Sequence, residues 1–510
     1  MPASARAPGS APSPGEETSM LVDVRPTSRL RGAKATDVAA TLAPIMAALR
    51  DTDSVDLSRL RVVCDWIQYK DNFREQIDVR TILSNGPAGG APADGDLEIA
   101  VDLRRSAEGP LAETTRALLR GYADNGLHRC YLEPWVHTTE SCVWDFNALY
   151  WRALDLWEKA TGRLYEQALP GGESDARNTD AVRELLGQMF GVWDDLAARN
   201  SLPEELYVVE LGVGNGGQAK VWLDEFRAMD RARGTAYYGR LNYLMCDYSP
   251  HVLEQARITV ADHEARISAL ALDARSPTTA LGFLRGKIFL VYVSNVYDNL
   301  PNEEVARIGG RNYRVESRAY VTADDATLIA EDLGCAVETI RPTVGQLLRL
   351  GPALLAETRP DQFPSSEVAV TLWRELWAAL RLEERYVPLP GLDMYRIAER
   401  VSGEILQPLV ESDGDIRMHV NNGAVASFVD TLPLLHPFGR LLCHDLFVTD
   451  VQQFQNAFRG PGKYDGSVVN WCNGPLLRHI GGRAGFDVGF ARFAHRTGTN
   501  IVTMTAQVRD

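Results

Sequence analysis

Apolar and polar residues in the second half of the chain follow two periods, one typical of buried strands and one typical of helices. From Leu206 onward, short apolar runs alternate with segments that carry apolar residues at helical spacing, such as Trp222, Phe226 and Met229. This alternation favours a mostly parallel sheet with helices on both faces. The predicted strands are Leu206–Leu211, Leu241–Asp247, Ile267–Leu272, Lys287–Ser294 and Gly439–Phe447.

Two departures from simple alternation are expected. Phe486–Phe493 and Asn500–Gln507 are strand-like runs joined by a short polar turn, which predicts a terminal antiparallel hairpin at the sheet edge. Residues 322–436, between the fourth and fifth strands, are too many for an ordinary crossover. Runs there such as Val368–Leu382 look helical, so this segment is expected to be an inserted, mostly helical cap that recognises substrate.

The first half of the chain is less informative. Residues 1–27 are rich in Ala, Pro, Ser and Gly and are expected to be a disordered tail. Residues 28–142 mix strand-like and helix-like pieces and are expected to form an accessory α/β domain, with a role in a homodimer left open. The aromatic, helical pattern of residues 143–205 predicts a lead-in to the main α/β domain, residues 206–321 and 437–510.

Composition narrows the range of partners. The formal net charge of −15 opposes nucleic-acid binding, which needs a basic face. The 7 cysteines include no CxxC pair, and an odd count without a framework indicates reduced thiols in a cytoplasmic protein. No metal site is predicted. No apolar run is long enough to suggest a membrane span. Neither a nucleic acid nor a membrane is therefore expected as a partner, and the predicted partner is a small-molecule substrate.

The strongest chemical signal is the run Val208-Val-Glu-Leu-Gly-Val-Gly-Asn-Gly-Gly217, which leaves a predicted strand and enters a predicted helix. Its glycines permit positive φ and close approach of a ligand. The glycine pattern alone would suit NAD equally, and a tight turn without ligand is the other alternative. Glu210 favours S-adenosylmethionine, because a carboxylate there can face the cofactor's ammonium group but would repel a pyrophosphate. The predicted contacts from this loop are Glu210, Gly212, Gly214, Asn215 and Gly216.

Further cofactor contacts are expected after the next strands. Asp247 and Tyr248 follow the second strand, where a carboxylate can accept hydrogen bonds from the ribose hydroxyls. Asp273 and Ala274 follow the third strand, where they would reach the adenine amino group, although an Asp there can also be only a helix cap. Ser294, at the end of the fourth strand, completes the predicted set.

Candidate catalytic residues follow the fourth and fifth strands. Asn295, Tyr297 and Asp298 lie in a polar turn beside the expected position of the reacting methyl group, where they could orient a substrate. His444 at the end of the fifth strand is a candidate base on the same crevice. The alternatives are a capped polar turn and a structural histidine.

From about Phe146 to the C-terminus, the chain resembles the MidA-like methyltransferases, relatives of a mitochondrial arginine methyltransferase that assists complex I assembly. The resemblance implies a class I, Rossmann-like fold and S-adenosylmethionine as cofactor. Two departures bear on the reaction: Ser294-Asn295 replaces the family's Asn-Glu, and Asp445-Leu-Phe replaces its Asp-Tyr-Gly. The matching segments are the glycine loop, Asp298-Asn-Leu-Pro301, Arg314-Val-Glu316-Ser, Leu441-Leu-Cys-His-Asp445, Gly460-Pro-Gly462 and Val469-Asn470.

The missing Glu at Asn295 weakens the case for an arginine acceptor, because a guanidinium is usually deprotonated beside paired carboxylates. We therefore expect O-methylation of a small molecule, with a carboxylate acceptor included. The alternatives are protein arginine N-methylation and a non-catalytic assembly factor that binds S-adenosylmethionine.

Overall fold

The computed structural model describes residues 21–23, 38–51, 56–65, 67–69, 71–84, 93–103, 110–123, 129–168, 174, 177–411, 414–455 and 458–509. The strands are β1 Leu21–Asp23, β2 Leu60–Asp65, β3 Ile77–Ser84, β4 Ala93–Asp102, β5 Arg129–Tyr131, β6 Val136–His137, β7 Leu206–Leu211, β8 Leu241–Asp247, β9 Ile267–Ala271, β10 Ile288–Ser294, β11 Glu304–Ile308, β12 Arg311–Thr322, β13 Arg381–Pro388, β14 Arg396–Ala398, β15 Val401–Ser402, β16 Ile416–His419, β17 Leu435–Asp445, β18 Phe447–Val448, β19 Gly462–Tyr464, β20 Ser467–Val469, β21 Cys472–Asn473, β22 Phe486–Arg492 and β23 Val502–Val508. The helices are α1 Val38–Arg50, α2 Leu111–Ala123, α3 Cys142–Arg152, α4 Leu154–Thr161, α5 Tyr165–Ala168, α6 Thr179–Ala198, α7 Gly217–Arg233, α8 Pro250–Thr259, α9 Thr278–Leu281, α10 Ala323–Asp332, α11 Ile340–Thr358, α12 Ser366–Ala379, α13 Gln407–Val410, α14 Asn422–Thr431 and α15 Gly474–Arg483.

The main α/β domain contains a seven-stranded sheet with the order β22-β23-β17-β10-β7-β8-β9. Strands β7, β8, β9, β10 and β17 are parallel to one another, and β23 is antiparallel to both β17 and β22. The predicted terminal hairpin is therefore present, with β22 at the edge. From β7 the chain passes through β8 to β9 at one edge of the sheet. It then returns to β10, on the other side of β7, and continues through β17 towards the opposite edge. Strand order thus reverses between β7 and β10, and such a switch point opens a crevice at the carboxyl ends of the strands.

Both faces of this sheet are covered. On one face, α6 and α7 contribute Trp193, Trp222 and Phe226 to a core with the apolar side chains of β7, β8 and β10. On the other face, α14 and α15 pack Phe428 and Leu477 against the same strands. Burial on both faces explains why these strands are continuous apolar runs in the sequence.

Local sequence signals set the helix boundaries near the crevice. Ser249 caps α8, its side chain accepting a hydrogen bond from the Val252 N–H, and Pro250 takes the first helical position, where no N–H is needed. Asn178 caps α6 in the same way, accepting from the N–H groups of Asp180 and Ala181. These caps fix where each helix begins relative to the strands.

The second sheet differs from the sequence-based expectation. It has ten strands, and eight of them follow the order β1-β2-β4-β3-β13-β12-β11-β16, with β5 and β6 both pairing with β12. Strands β1 to β6 come from the N-terminal region and the others from the long segment between β10 and β17. The accessory domain of residues 28–142 and the insertion of residues 322–436 thus share one sheet, joined where β3 pairs in parallel with β13.

The insertion is also less helical than expected and begins earlier. The hairpin of β11 and β12 precedes residue 322, turning at Gly309 and Gly310, which both have positive φ. Val368–Leu382 is only partly helix, since α12 ends at Ala379 and β13 starts at Arg381. At the other end, α14 packs on the seven-stranded sheet and belongs to the main domain, not to a cap.

Buried ion pairs hold the shared sheet together. Arg74 and Arg417 both pair with Glu384, at 2.5 and 2.8 Å, and Arg80 pairs with Glu98 at 2.9 Å. All five side chains are less than a tenth exposed. Removing one partner from such a pair typically costs about 3–5 kcal/mol, because a buried charge is left uncompensated. These charges link the N-terminal strands to the insertion.

One further boundary is corrected. The expected disordered tail, residues 1–27, lies outside the described residues except for Leu21–Asp23. Those three residues form β1, paired in parallel with Arg61–Val63 at the sheet edge. A strand this short has too few residues to show an alternating pattern in the sequence.

Candidate functional site

The glycine loop between β7 and α7 can be built only from glycine at three positions. Gly212, Gly214 and Gly216 have φ of +76°, +57° and +81°, a region that other residues rarely adopt. A Cβ atom on Gly212 would lie 2.3 Å from Cγ2 of Val296, and one on Gly214 would lie 2.4 Å from the Tyr165 hydroxyl oxygen. The loop is therefore a tight backbone cradle in contact with two other segments.

Glu210 lies at the base of this cradle. Its side chain is 2% exposed, and the Tyr243 hydroxyl donates a 2.6 Å hydrogen bond to its Oε2. Burial raises the pKa of Glu210 to about 8, although that hydrogen bond and the charge of Arg177 act in the opposite direction. A buried carboxyl with a raised pKa gains a large stabilisation when a cation reaches it.

Asp247 is placed where a cofactor ribose is expected. Its Oδ2 accepts a 3.2 Å hydrogen bond from the Gly214 N–H, and its Oδ1 accepts one of 3.0 Å from the Ser249 N–H. Burial raises its pKa to about 6. The next side chain, Tyr248, is 47% exposed and provides an open aromatic surface beside the loop. Asp247 is thus anchored on the glycine loop.

Asp273 is already paired. Its Oδ2 is 2.7 Å from Nη2 of Arg275, two residues along the chain. Although burial raises it, the hydrogen bonds from Arg275 hold the pKa of Asp273 below its usual range. A contact from Asp273 to an adenine amino group would have to share the carboxylate with Arg275. Ala274 lies in the same turn.

The loop after β10 brings Asn295 to the crevice. Asn295 adopts a left-handed backbone with φ +53° and donates its N–H to the carbonyl oxygen of His444 at 3.0 Å. Its side-chain amide lies 3.3 Å from the Ser174 hydroxyl oxygen. The neighbouring Ser294 has a buried hydroxyl with no hydrogen-bond partner among the described residues. This turn therefore presents polar atoms at the switch point.

Asp298 and Asp445 form a buried carboxyl pair at the ends of β10 and β17. Oδ2 of Asp445 accepts hydrogen bonds from the N–H groups of Val296 at 3.1 Å and Tyr297 at 2.8 Å. Burial raises the pKa of Asp445 to about 6, and burial together with the charge of Asp445 raises the pKa of Asp298 well above its usual range. The backbone N–H of Asp298 also lies 3.4 Å from Oδ2 of Asp445, and each buried carboxyl disfavours ionisation of the other. Asp445 was not among the predicted site residues.

Tyr297 and His444 lie in packed cores, away from the place expected for them. Tyr297 is 0% exposed within the core under α14. His444 is 6% exposed, its Nδ1 lies 2.9 Å from the Thr503 hydroxyl oxygen, and its ring meets Phe493 edge to face. Burial lowers the pKa of His444 to about 4. The imidazole is therefore neutral at physiological pH and a weak base.

Three side chains near the crevice come from segments that carry no motif. Tyr165 at the start of α5 and Arg177, two residues before the lead-in helix α6, contact the glycine loop. Tyr69, from the N-terminal region, packs its ring against Gly462. Its hydroxyl is buried with no hydrogen-bond partner among the described residues, and Asp298 contributes, after burial, to raising its pKa. The N-terminal region thus reaches the carboxyl pair.

Among the described residues, no group of His, Cys, Asp and Glu has the arrangement needed to hold a metal ion. In the same part of the chain, every helix is too short or too polar to cross a bilayer.

Comparisons with known proteins give distant structural likenesses. A protein from Burkholderia thailandensis bound to S-adenosyl-homocysteine matches with a TM-score of 0.42 and 13% identity, covering 73% of this chain and 88% of that chain. The CcbJ methyltransferase from Streptomyces caelestis matches with a TM-score of 0.32 and 10% identity, covering 72% of this chain and 99% of that chain. No protein-family model and no curated protein sequence matches the chain. Because both scores are low, the site's own residues must carry its assignment.

Proposed function

We propose that the chain is an S-adenosylmethionine-dependent methyltransferase with a class I, Rossmann-like fold. One observation carries the cofactor assignment: the Glu210 carboxyl is buried at the carboxyl end of β7, beneath a loop of left-handed glycines. With a pKa of about 8, it lacks the cationic partner that would keep it ionised. The α-ammonium of S-adenosylmethionine supplies that partner, whereas a dinucleotide pyrophosphate would bring further negative charge.

The remaining loop residues fit the rest of the cofactor. Asp247, held by the Gly214 N–H, would accept hydrogen bonds from the ribose hydroxyls, and Tyr248 offers an exposed ring for the adenine. Asp273 would contact the adenine amino group only while sharing its carboxylate with Arg275. Ser294 has a buried hydroxyl at the switch point that no described residue pairs with. These contacts support a ligand that extends from β7 across β8.

We propose the hydroxyl oxygen of a small molecule as the methyl acceptor. A sulfonium-bound methyl group is transferred by in-line displacement: the S–C bond breaks as the O–C bond forms, and the acceptor loses its proton. The Asp298–Asp445 pair can take that proton, because burial raises the pKa of Asp445 to about 6 and that of Asp298 well above its usual range. A carboxylate acceptor is less suited, since two buried carboxyl groups would repel it.

Within this proposal, Asn295 and Asp298 keep the roles expected from the sequence, and Tyr297 and His444 become structural. Asn295 would orient the acceptor, because its amide lies at the reversal of strand order. His444 would hold β17 against β23 through Thr503. Alignment of the reactants supplies most of the rate in a displacement of this kind.

The carboxyl pair also favours a second candidate, N-methylation of a protein arginine. A guanidinium is held and deprotonated beside paired carboxylates, and Asp298 and Asp445 provide such a pair even though the family's Glu is replaced by Asn295. The long segment between β10 and β17 would then recognise a protein surface. The two candidates differ in the acceptor that supports turnover.

The proposed function is tested by calorimetric titration of S-adenosylmethionine and by measuring S-adenosylhomocysteine formation with a panel of phenols, alcohols and carboxylic acids and with arginine-containing peptides. Cofactor binding and turnover on a hydroxyl acceptor are expected. Turnover on the peptides alone would establish the second candidate instead. Absence of S-adenosylmethionine binding by the folded protein would disprove both.

A further inference from the structure

The guanidinium of Arg177 lies flat against the start of α7. Its Nη2 donates to Oε1 of Glu166 at 2.5 Å and to Oδ1 of Asn215 at 3.2 Å. A Cβ atom on Gly217 would lie 2.4 Å from the guanidinium carbon, so only glycine leaves room for this arrangement. The Gly217 N–H donates to the same Asn215 oxygen at 3.0 Å. The cation is therefore built into the edge of the glycine loop.

One donor of this guanidinium is unused. The Arg177 Nε–H is buried and has no hydrogen-bond partner among the described residues. The side chain as a whole is 22% exposed, and its Nε is buried beside Gly217 at the start of α7. An unsatisfied buried donor on a charged group costs stability unless a ligand pairs with it.

The charges around Arg177 also point to a ligand with a negative group. The described groups that act on Glu210 are Tyr243, Asp247 and Arg177, so Arg177 is the only cation among them. Glu166 already takes part of its charge through Nη2. The methionyl end of S-adenosylmethionine carries its carboxylate on the same carbon atom as its ammonium. A ligand whose ammonium meets Glu210 therefore places a carboxylate a few ångströms away.

We infer that Arg177 binds the α-carboxylate of S-adenosylmethionine through its Nε–H, so that Glu210 and Arg177 together recognise the zwitterionic end of the cofactor. Glu166 keeps its bond to Nη2 and holds the guanidinium in place. The inference rests on the proposed function. It assigns the cofactor's carboxylate as the partner of Arg177, which lies in a segment without a motif. Charge-assisted hydrogen bonds of this kind contribute strongly to affinity.

The test compares S-adenosylmethionine with its decarboxylated form, which retains the ammonium group, by calorimetric titration of folded variants. Arg177→Gln is expected to weaken S-adenosylmethionine binding about 10- to 100-fold. Its affinity for the decarboxylated ligand is expected to stay within about twofold of wild type, because that ligand has no carboxylate to lose. Glu210→Gln, the matched control, is expected to weaken both ligands.

Gly217→Ala provides a second variant that keeps the arginine. Gly217 has an ordinary backbone conformation, so alanine is tolerated in the helix, but its methyl group would displace the guanidinium. It should reproduce the selective loss of affinity for the carboxylate form. Equal weakening of both ligands by Arg177→Gln, or wild-type affinity for both, would overturn the inference while leaving the cofactor assignment intact. Failure of wild-type protein to bind either ligand would instead refute the proposed function.

Discussion

Replacing Glu210 by glutamine should change protein stability and cofactor affinity in opposite directions. Glutamine has nearly the same shape and can still accept the hydrogen bond from the Tyr243 hydroxyl, but it cannot ionise. The variant therefore removes the buried charge and retains the packing. Its effect on the free protein depends on pH, and its effect on the complex depends on the cofactor's ammonium group.

The stability effect follows from the pKa of about 8 in the folded state against an ordinary value of 4.5. Because the unfolded chain loses its proton first, the free energy of unfolding falls as pH rises from 4.5 and levels off above 8. At 1.36 kcal/mol for each pH unit, the loss reaches about 3 kcal/mol at pH 7 and about 5 kcal/mol above pH 8. Glu210→Gln should be as stable as wild type near pH 4 and more stable by those amounts at higher pH.

The assay is urea unfolding at pH 5, 7 and 9, together with titration of S-adenosylmethionine at pH 7. The control is Glu254→Gln on α8, whose side chain is 66% exposed, so no pH-dependent gain is expected. Cofactor affinity of Glu210→Gln should fall about 10- to 100-fold. A variant that is no more stable at pH 9 than wild type, or that binds the cofactor equally well, would refute the reasoning.

Three further predictions concern catalysis and the loop. His444→Gln should leave the pH–rate profile between pH 5 and 8 unchanged on any accepted substrate, because burial lowers the pKa of His444 to about 4. If the variant instead lost a pH-dependent rise in rate near pH 6.5, His444 would act as a base. Asp298→Asn should lower kcat about 10²–10⁴-fold, with the cofactor Kd unchanged in a calorimetric titration. A wild-type kcat would exclude Asp298 from proton transfer. Gly212→Ala should lose both stability and cofactor affinity, because its Cβ would lie 2.3 Å from Val296. Gly162 also has a positive φ, +66°, but has open space around it, so Gly162→Ala should lose stability alone in thermal melts. Equal stability losses in the two glycine variants would show that the Val296 contact is unimportant.

The main sheet and its glycine loop could be predicted from the sequence because their signals are local. Strand β7, the loop and α7 are consecutive, and burial on both faces makes the strands continuous apolar runs. The positions of Glu210 and Asp247 could be predicted in the same way, since each lies at the carboxyl end of a parallel strand. Short-range pattern was therefore sufficient to place these two carboxyls beside the glycine loop.

The ten-stranded sheet could not be predicted in this way. Its pairing of β3 with β13 joins segments far apart in the chain. Its strands also carry buried charged residues such as Arg80, Glu98 and Glu384, which disguise the apolar alternation of a half-buried strand. The oppositely charged partners of these residues come close only when the strands lie side by side in the folded sheet, so the sequence alone does not reveal them.

The acceptor side of the site was harder to predict for a related reason. A residue's position after a strand does not determine which face its side chain takes. Consecutive residues His444 and Asp445 point to opposite faces, so the histidine enters a core and the carboxyl pairs with Asp298. Arg177 lies in a segment without a motif, and its contact with Gly217 depends on tertiary structure alone.

The central claim is that a buried, protonated Glu210 receives the ammonium group of S-adenosylmethionine. It is tested most directly by titrating wild-type protein with S-adenosylmethionine at pH 7 in two buffers of different ionisation enthalpy, which counts the protons released on binding. Because the carboxyl has a pKa of about 8 without ligand and must be ionised beside the ammonium, release of about one proton is predicted, decreasing towards zero above pH 9. Binding without proton release at pH 7, or no binding at all, would contradict the account.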